Sequence, residues 1–211
     1  MRLIGHRANT ARWLKRQLKC SHGVEIDVVV DKDGVLRSGH MAPAGRPLLL
    51  RERLARVLGE LRFTPSPRLE ELLAGLSPGQ LLLLDLKTRV DVEKLVEAVR
   101  AAGLEPRDVI VSTRWHNDAP LFSSLGFSVL LSIDSRPADP VGLVEAAKGH
   151  GIAVRYSYLD EKLVGSLHGA GLVVAAWTIN EPETLCRARG LGVDLVVTDI
   201  PCTARQWLRS C

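Results

Sequence analysis

The chain has 211 residues, 46% hydrophobic, 25% charged and 4% aromatic, with a net charge of +4. That length holds one domain with a sizeable core, and the composition is that of an ordinary soluble globular protein. The mild basic excess comes with too few aromatic side chains for base stacking, which argues against nucleic acid as partner. The apolar runs, such as 81–84 and 173–176, fall short of the roughly 18–20 residues of a membrane span, so no stable membrane insertion is expected. The first residues enter Leu3-Ile4-Gly5-His6 without a basic and apolar leader pattern, and a cytoplasmic location is the expectation.

In chain order, 2–5 reads as a short strand ending at His6-Arg7, after which Asn9-Thr10 caps a helix over 11–20. Residues 23–30, Gly-Val-Glu-Ile-Asp-Val-Val-Val, form a β-branched strand closed by the Asp33-Gly34 turn. A return leg over 35–39 delivers His40. Residues 41–67 read as an irregular or partly helical insertion with Pro43, Pro47, Pro65 and Pro67, its Arg51, Arg53 and Arg56 on a solvated face. Helices over 69–74, 90–102, 119–125, 140–150, 160–169 and 182–189 then alternate with strands over 81–86, 109–112, 128–133, 152–155, 172–177 and 194–198. A last helix over 204–209 closes the chain.

Eight strands alternating with helices are the pattern of a single (β/α)₈ TIM barrel over 1–211, with an open doubly wound sheet as the alternative. No G-x-G-x-x-G follows a strand, which lowers the second reading. A homodimer through the outer helices is compatible with the sequence but nothing in it argues for one. Cys20, Cys186, Cys202 and Cys211 show no C-x-x-C spacing, against a zinc site. Free thiols are the expectation, while Cys202–Cys211 or Cys20–Cys186 bridges would belong to an unusual, thermophile-like cytosol.

Glu25 and Asp27 are two apart, so on a strand they share one face. Two carboxylates on a strand with apolar residues on its other side repel and pay desolvation unless a cation joins them. Function in a barrel lies at the C-terminal ends of the strands. His6 and Arg7, Glu25 and Asp27, His40, Asp85 and Lys87, Ser112, and Trp177 with Thr178 and Asn180 all fall there. These types suit phosphate-ester cleavage. Glu25, Asp27 and Asp85 are hard oxygen ligands for Mg²⁺ or Ca²⁺, Arg7 and Lys87 neutralise a phosphodiester, and His6 and His40 share acid and base duties. Asp85–Lys87 as a structural ion pair, and His6 pairing with Glu25, are the plainer alternatives. Asp194 and Asp199, flanking the last strand, are read as structural.

With H-R-A-N-T from His6, V-E-I-D-V from Val24, D-K-D-G-V-L from Asp31, L-L-L-D-L-K to Lys87, A-W-T-I-N from Ala176 and G-V-D-L-V-V-T-D-I-P from Gly192, the sequence resembles the glycerophosphodiester phosphodiesterase family. The resemblance implies a TIM barrel that splits a small-molecule phosphodiester into glycerol phosphate and an alcohol. It implies a divalent ion on Glu25, Asp27 and Asp85, His6 and His40 as acid and base, Arg7 and Lys87 on the phosphate, and Trp177 along the alcohol side. It also implies attack by the substrate's own neighbouring hydroxyl, through a cyclic phosphate that water opens. Ala8 stands where the family has glycine, Met41 where it has aspartate, and Asp85 where glutamate is common. A phospholipase-like enzyme acting on lipid headgroups would need an apolar lip, for which Arg114-Trp115-His116 offers one exposed tryptophan. A non-catalytic phosphate-binding barrel would bind ligand without turnover.

Overall fold

The structure, a computed structural model, describes residues 1–39, 66–77 and 79–211. His40 and most of the expected 41–67 insertion lie outside the described residues.

The elements run β1 (Arg2–Gly5), α1 (Ala11–Leu18), β2 (Gly23–Val30), β3 (Leu36–Ser38), α2 (Leu69–Leu73) and β4 (Leu81–Leu86). Then come α3 (Val92–Ala101), β5 (Val109–Thr113), α4 (Ala119–Ser124), β6 (Ser128–Ile133), α5 (Pro140–Ala146) and β7 (Gly151–Arg155). The chain continues through α6 (Glu161–Gly169), β8 (Val173–Trp177), α7 (Pro182–Gly190), β9 (Leu195–Thr198) and α8 (Pro201–Trp207). Every strand but β3 pairs in parallel with its neighbours, and β1 pairs with both β2 and β9, so the sheet closes into the expected (β/α)₈ barrel. β3 folds back antiparallel onto β2.

Alternation along the strands builds two cores. Ile4, Leu83, Leu130, Ala153, Ala175, Leu195 and Val197 form the barrel interior, with Leu81, Ile110, Val173 and Trp177 against them. The intervening residues, Leu3, Val24, Ile26, Val28, Leu82, Leu84 and their equivalents, join the helices in the outer layer. At the C-terminal end the interior set continues into polar side chains: His6 beyond Ile4, Asp85 and Lys87 beyond Leu83, Ser112 beyond Ile110. Packing thus fixes the direction of every candidate side chain on these strands.

Local signals explain most boundaries. Thr10 caps α1 by accepting the Trp13 N–H, Asp91 caps α3, and Asp160 caps α6. The helix expected to reach His150 ends at Ala146, because Lys148 takes a left-handed φ of 49° and His150 turns to accept the Val129 N–H on its Nδ1. The last helix begins earlier than expected, at Pro201, a residue suited to a first helical position. Trp115 is half-buried against the outer core, contrary to the exposed position expected of it. Trp13 is the exposed tryptophan, stacked under the Arg16 guanidinium at 4.7 Å.

The expectation of free thiols is corrected by two disulfides, Cys20–Cys202 and Cys186–Cys211, neither of them a pairing anticipated from the sequence. The reason is closure: β9 lies beside β1, so the start of α8 meets the end of α1, and the chain end folds back against α7. Disulfides belong to oxidising compartments or to thermophile-like cytosols. Among the described residues no helix is long and apolar enough to cross a membrane.

Candidate active site

Three carboxylates meet at the C-terminal end of β2 and β4. Asp27 and Asp85 are cross-strand partners, and Ser112 is the partner of Asp85 on β5. Glu25 is 3% exposed and Asp27 is fully buried, and one oxygen from each of Glu25, Asp27 and Asp85 lies within 4.8 Å of the others. Burial, and then the charges of Asp27 and Asp85, push the Glu25 pKa well above the usual carboxylate range. A hard cation holding carboxylate oxygens at roughly 2.1–2.6 Å on several sides fits that spacing and would relieve the repulsion. The residues therefore fit a divalent ion.

Cations already lean on the cluster. Lys87 Nζ is 2.8 Å from Asp27 Oδ1 and hydrogen-bonds Asp85, so the expected Asp85–Lys87 pair is part of a three-membered network. Burial works against the lysine's charge, but Asp85 and Asp27 outweigh it and hold its pKa above the ordinary value. Arg7 Nε stands 3.8 Å from Asp27 Oδ2, half-exposed. The Arg7 backbone takes φ 52°, and its N–H donates to Glu25 Oε2 at 2.7 Å. The left-handed turn therefore falls on Arg7, while Ala8 has no positive φ and its methyl is buried in the outer core. The backbone at residue 8 is therefore one that alanine adopts without strain.

His6 projects from β1 over the same cavity. Its Nδ1 is 2.6 Å from Asp199 Oδ1, while its Nε2 stands 3.9 Å from Glu25 Oε2. Pairing with Glu25 is thus the weaker contact. Burial pushes the imidazole pKa down, against the opposing pull of the Asp199 hydrogen bond and charge. Asp199 resists its own desolvation through His6 and Asn180, which keep its carboxyl below the usual range. An ionised Asp199 accepts a hydrogen bond from Nδ1–H, which leaves the Nε2 lone pair facing the carboxylates.

Asp199, read as structural from the sequence, is instead bonded to the candidate residue His6, and Asn180, Asn9 and Gln17 brace the same group of side chains. Asn180 Nδ2 donates to Asp199 Oδ2 at 2.5 Å, and its Oδ1 accepts from Thr198 and from the Asp199 N–H. Asn9, taken for part of a helix start, clasps Asp27: its Nδ2 donates to Oδ2 at 2.7 Å and its Oδ1 accepts the Asp27 N–H at 2.9 Å. Gln17 Nε2 donates to the backbone oxygens of His6 and Asp199. It can approach because residue 5 is glycine; a Cβ there would lie 2.5 Å from the Gln17 Cβ. Asp194 is structural as expected, accepting from the Val174 N–H and pairing with His168.

A cavity of about 360 Å³ unites His6, Arg7, Glu25, Asp85, Lys87, Ser112, Arg114, Ser132, Trp177 and Thr178. A larger one, about 730 Å³, opens at the opposite end among Gln80, Arg107 and His150. Chemistry in barrels sits at the C-terminal end of the strands, so the smaller cavity is the candidate site.

Residues 87–203 match the model of the glycerophosphoryl diester phosphodiesterase family. The chain belongs to this family, and with it to the hydrolases that act on phosphoric diesters. A glycerophosphodiester phosphodiesterase of Bacillus altitudinis is 24% identical over 204 residues, 85% of this chain and 83% of that protein. Bacillus subtilis YhdW is 34% identical over 50 residues only, 24% of this chain and 21% of its own length. Among solved structures, an Oleispira antarctica phosphodiesterase in complex with the product sn-glycerol-3-phosphate superposes with a TM-score of 0.81 at 21% identity, over 99% of this chain and 97% of that one. A glycerophosphodiester phosphodiesterase of Parabacteroides distasonis gives 0.76 at 20% identity, with the same coverage. At these identities the structural likeness is one of fold.

Proposed function

We propose that this protein hydrolyses glycerophosphodiesters to glycerol phosphate and an alcohol. The observation that carries the reading is the placement of a carboxylate cluster opposite a carboxylate-oriented histidine across one cavity. Glu25, Asp27 and Asp85 would hold a divalent cation, Mg²⁺ or Ca²⁺. When bound, that ion supplies positive charge for the phosphoryl oxygens. With Glu25, Asp27, Asp85 and Asp199 against Arg7, Lys87, Arg114 and a divalent ion, the site is left one positive charge in excess, which a phosphodiester monoanion balances.

Arg7 and Lys87 orient the phosphate, and Ser112 and Trp177 line the remaining cavity. His6 Nε2 exchanges a proton with the reacting oxygens while Asp199 holds the ring, and His40 serves as the complementary acid or base. The substrate's neighbouring hydroxyl attacks phosphorus, the alcohol leaves with a proton, and water opens the cyclic phosphate. A cavity of about 360 Å³ is the size of a small-molecule site.

The test is release of glycerol phosphate from glycerophosphocholine and glycerophosphoglycerol with Mg²⁺, Ca²⁺, Mn²⁺ or EDTA, beside Glu25→Gln and His40→Ala. Turnover is expected only with a divalent ion, and both variants are expected to lose it. Independently of activity, the cation is expected to raise the melting temperature of the wild type and not of Glu25→Gln. With EDTA the order reverses, because the neutral amide removes a buried like charge. Metal-independent turnover would overturn the ligand assignment, and turnover surviving His40→Ala would reassign the second proton-transfer group.

A further inference from the structure

We propose that Arg114 makes this site selective for phosphodiesters whose second half carries its own anionic group, and against those carrying a quaternary ammonium. The proposal rests on the hydrolase reading above and deepens it.

Side chains two apart on a strand share a face, so the rim above the barrel interior can be read strand by strand. From β4 to β8 it presents Lys87, Arg114, Asp134, Arg155 and Trp177, one residue from each strand or its extension. Most of these charges are already engaged. Lys87 bonds Asp27 and Asp85. Arg155 meets Asp134 with two prongs, Nε to Oδ1 at 2.7 Å and Nη2 to Oδ2 at 2.9 Å. That pair lays the Arg155 guanidinium over the Trp177 ring, 5.5 Å from its centroid.

Arg114 is different. It lines the cavity with Lys87 and Trp177, is exposed, and has no carboxylate within 4.0 Å among the described residues. On the same strand face Ser112 precedes it, 2% exposed, and Ser132 on β6 is 7% exposed. Both line the cavity, and neither hydroxyl has a hydrogen-bond partner among the described residues. A guanidinium fork and two hydroxyls without partners among the described residues form a receptor for oxygen-rich anionic groups.

The same wall is hostile to a cationic group. An indole face attracts quaternary ammonium ions when it is free. Here a guanidinium already occupies one face of Trp177, and Arg114 adds a second positive charge to the cavity. A choline-like group would enter against both.

The experiment measures kcat and KM with three glycerophosphodiesters: glycerophosphocholine, glycerophosphoglycerol, and glycerophosphoglycerol bearing a terminal phosphate. It uses the wild type, Arg114→Gln, Arg114→Lys, and Arg89→Gln as a control in an arginine paired with Asp118 outside the cavity. For the wild type, kcat/KM is expected to rank phosphate-bearing, then neutral, then choline substrate. Arg114→Gln is expected to shrink the phosphate-to-choline ratio by about five- to tenfold, mostly through KM, the size of one charge-assisted contact at a solvated rim. Arg114→Lys is expected to keep part of that ratio and Arg89→Gln all of it. A wild type that prefers glycerophosphocholine, or an Arg114→Gln enzyme weakened equally on all three, would overturn the selectivity while leaving the hydrolase reading intact. No turnover of any of the three would overturn both.

Discussion

The hydrogen bond between His6 Nδ1 and Asp199 decides where the other imidazole nitrogen points, and the surroundings leave little freedom to replace it. Asn180 Nδ2 already donates to Asp199 Oδ2. An amide at position 199 would have to turn its oxygen to His6 and its NH₂ against the Asn180 amide, or the reverse. Either choice breaks one bond. Asp199→Asn is therefore expected to lower kcat on the order of 100-fold with little change in KM, the loss being that of an oriented proton-transfer group. Steady-state kinetics checks this, and a melting curve should show a cost of only about 1 kcal/mol for the lost hydrogen bond. Glu25, Asp27, Asp85 and Lys87 were legible in the sequence because strand alternation is local. Asp199 was not, since its partner is 193 positions away and only closure of β9 onto β1 joins them. Asn9 was hidden for a related reason: beside Thr10 it reads as a helix cap, and its clasp on Asp27 depends on β2 passing alongside.

The β2–β3 hairpin shows how an element away from the chemistry holds part of it in place. Gly34, at φ 74°, allows the tight turn. Asp31 accepts the N–H groups of Asp33 and Val35 and the Arg37 Nε at 2.5 Å. The Arg37 hydrogen bond, followed by that from Val35, holds its pKa down to about 2. A carboxyl lowered on folding adds stability that is full above its unfolded value near 4 and lost as pH falls to about 2. Asp31→Asn should then be less stable than the wild type at pH 6, and the gap should narrow on acidification through pH 4–2. Thermal unfolding across that range measures it, and a constant gap would assign the stabilisation to the neutral hydrogen bonds. The hairpin matters to the site because Ser38 Oγ donates to the Asn9 backbone oxygen at 2.9 Å, bracing the residue that clasps Asp27. Helix starts were legible wherever an acid or threonine caps them. The early end of α5 was not, because His150 leaves the helix for a tertiary partner.

For the molecule as a whole, the βα rhythm made the barrel legible, but a rhythm says nothing about which distant residues closure brings together. The cysteines show the gap: their spacing suits no pairing in particular, and the pairing follows from which ends the barrel apposes. Cys20–Cys202 spans 182 residues and Cys186–Cys211 spans 25. If the bridges act by restricting the unfolded chain, the first is worth up to about 5 kcal/mol and the second up to about 3.5 kcal/mol. The first also lies where the site is held, because Gln17, three residues before Cys20, ties the backbones of His6 and Asp199, three residues before Cys202. Replacing Cys20 and Cys202 by serine is therefore expected to cost more stability in denaturant unfolding than replacing Cys186 and Cys211. Its effect on kcat at low temperature should be slight, since the Gln17 bonds and the β1–β9 pairing remain. Near the lowered melting temperature, activity should fall before global unfolding if the seam between the two chain ends opens first. Activity and unfolding curves that coincide in that variant would show instead that the barrel opens only as a unit.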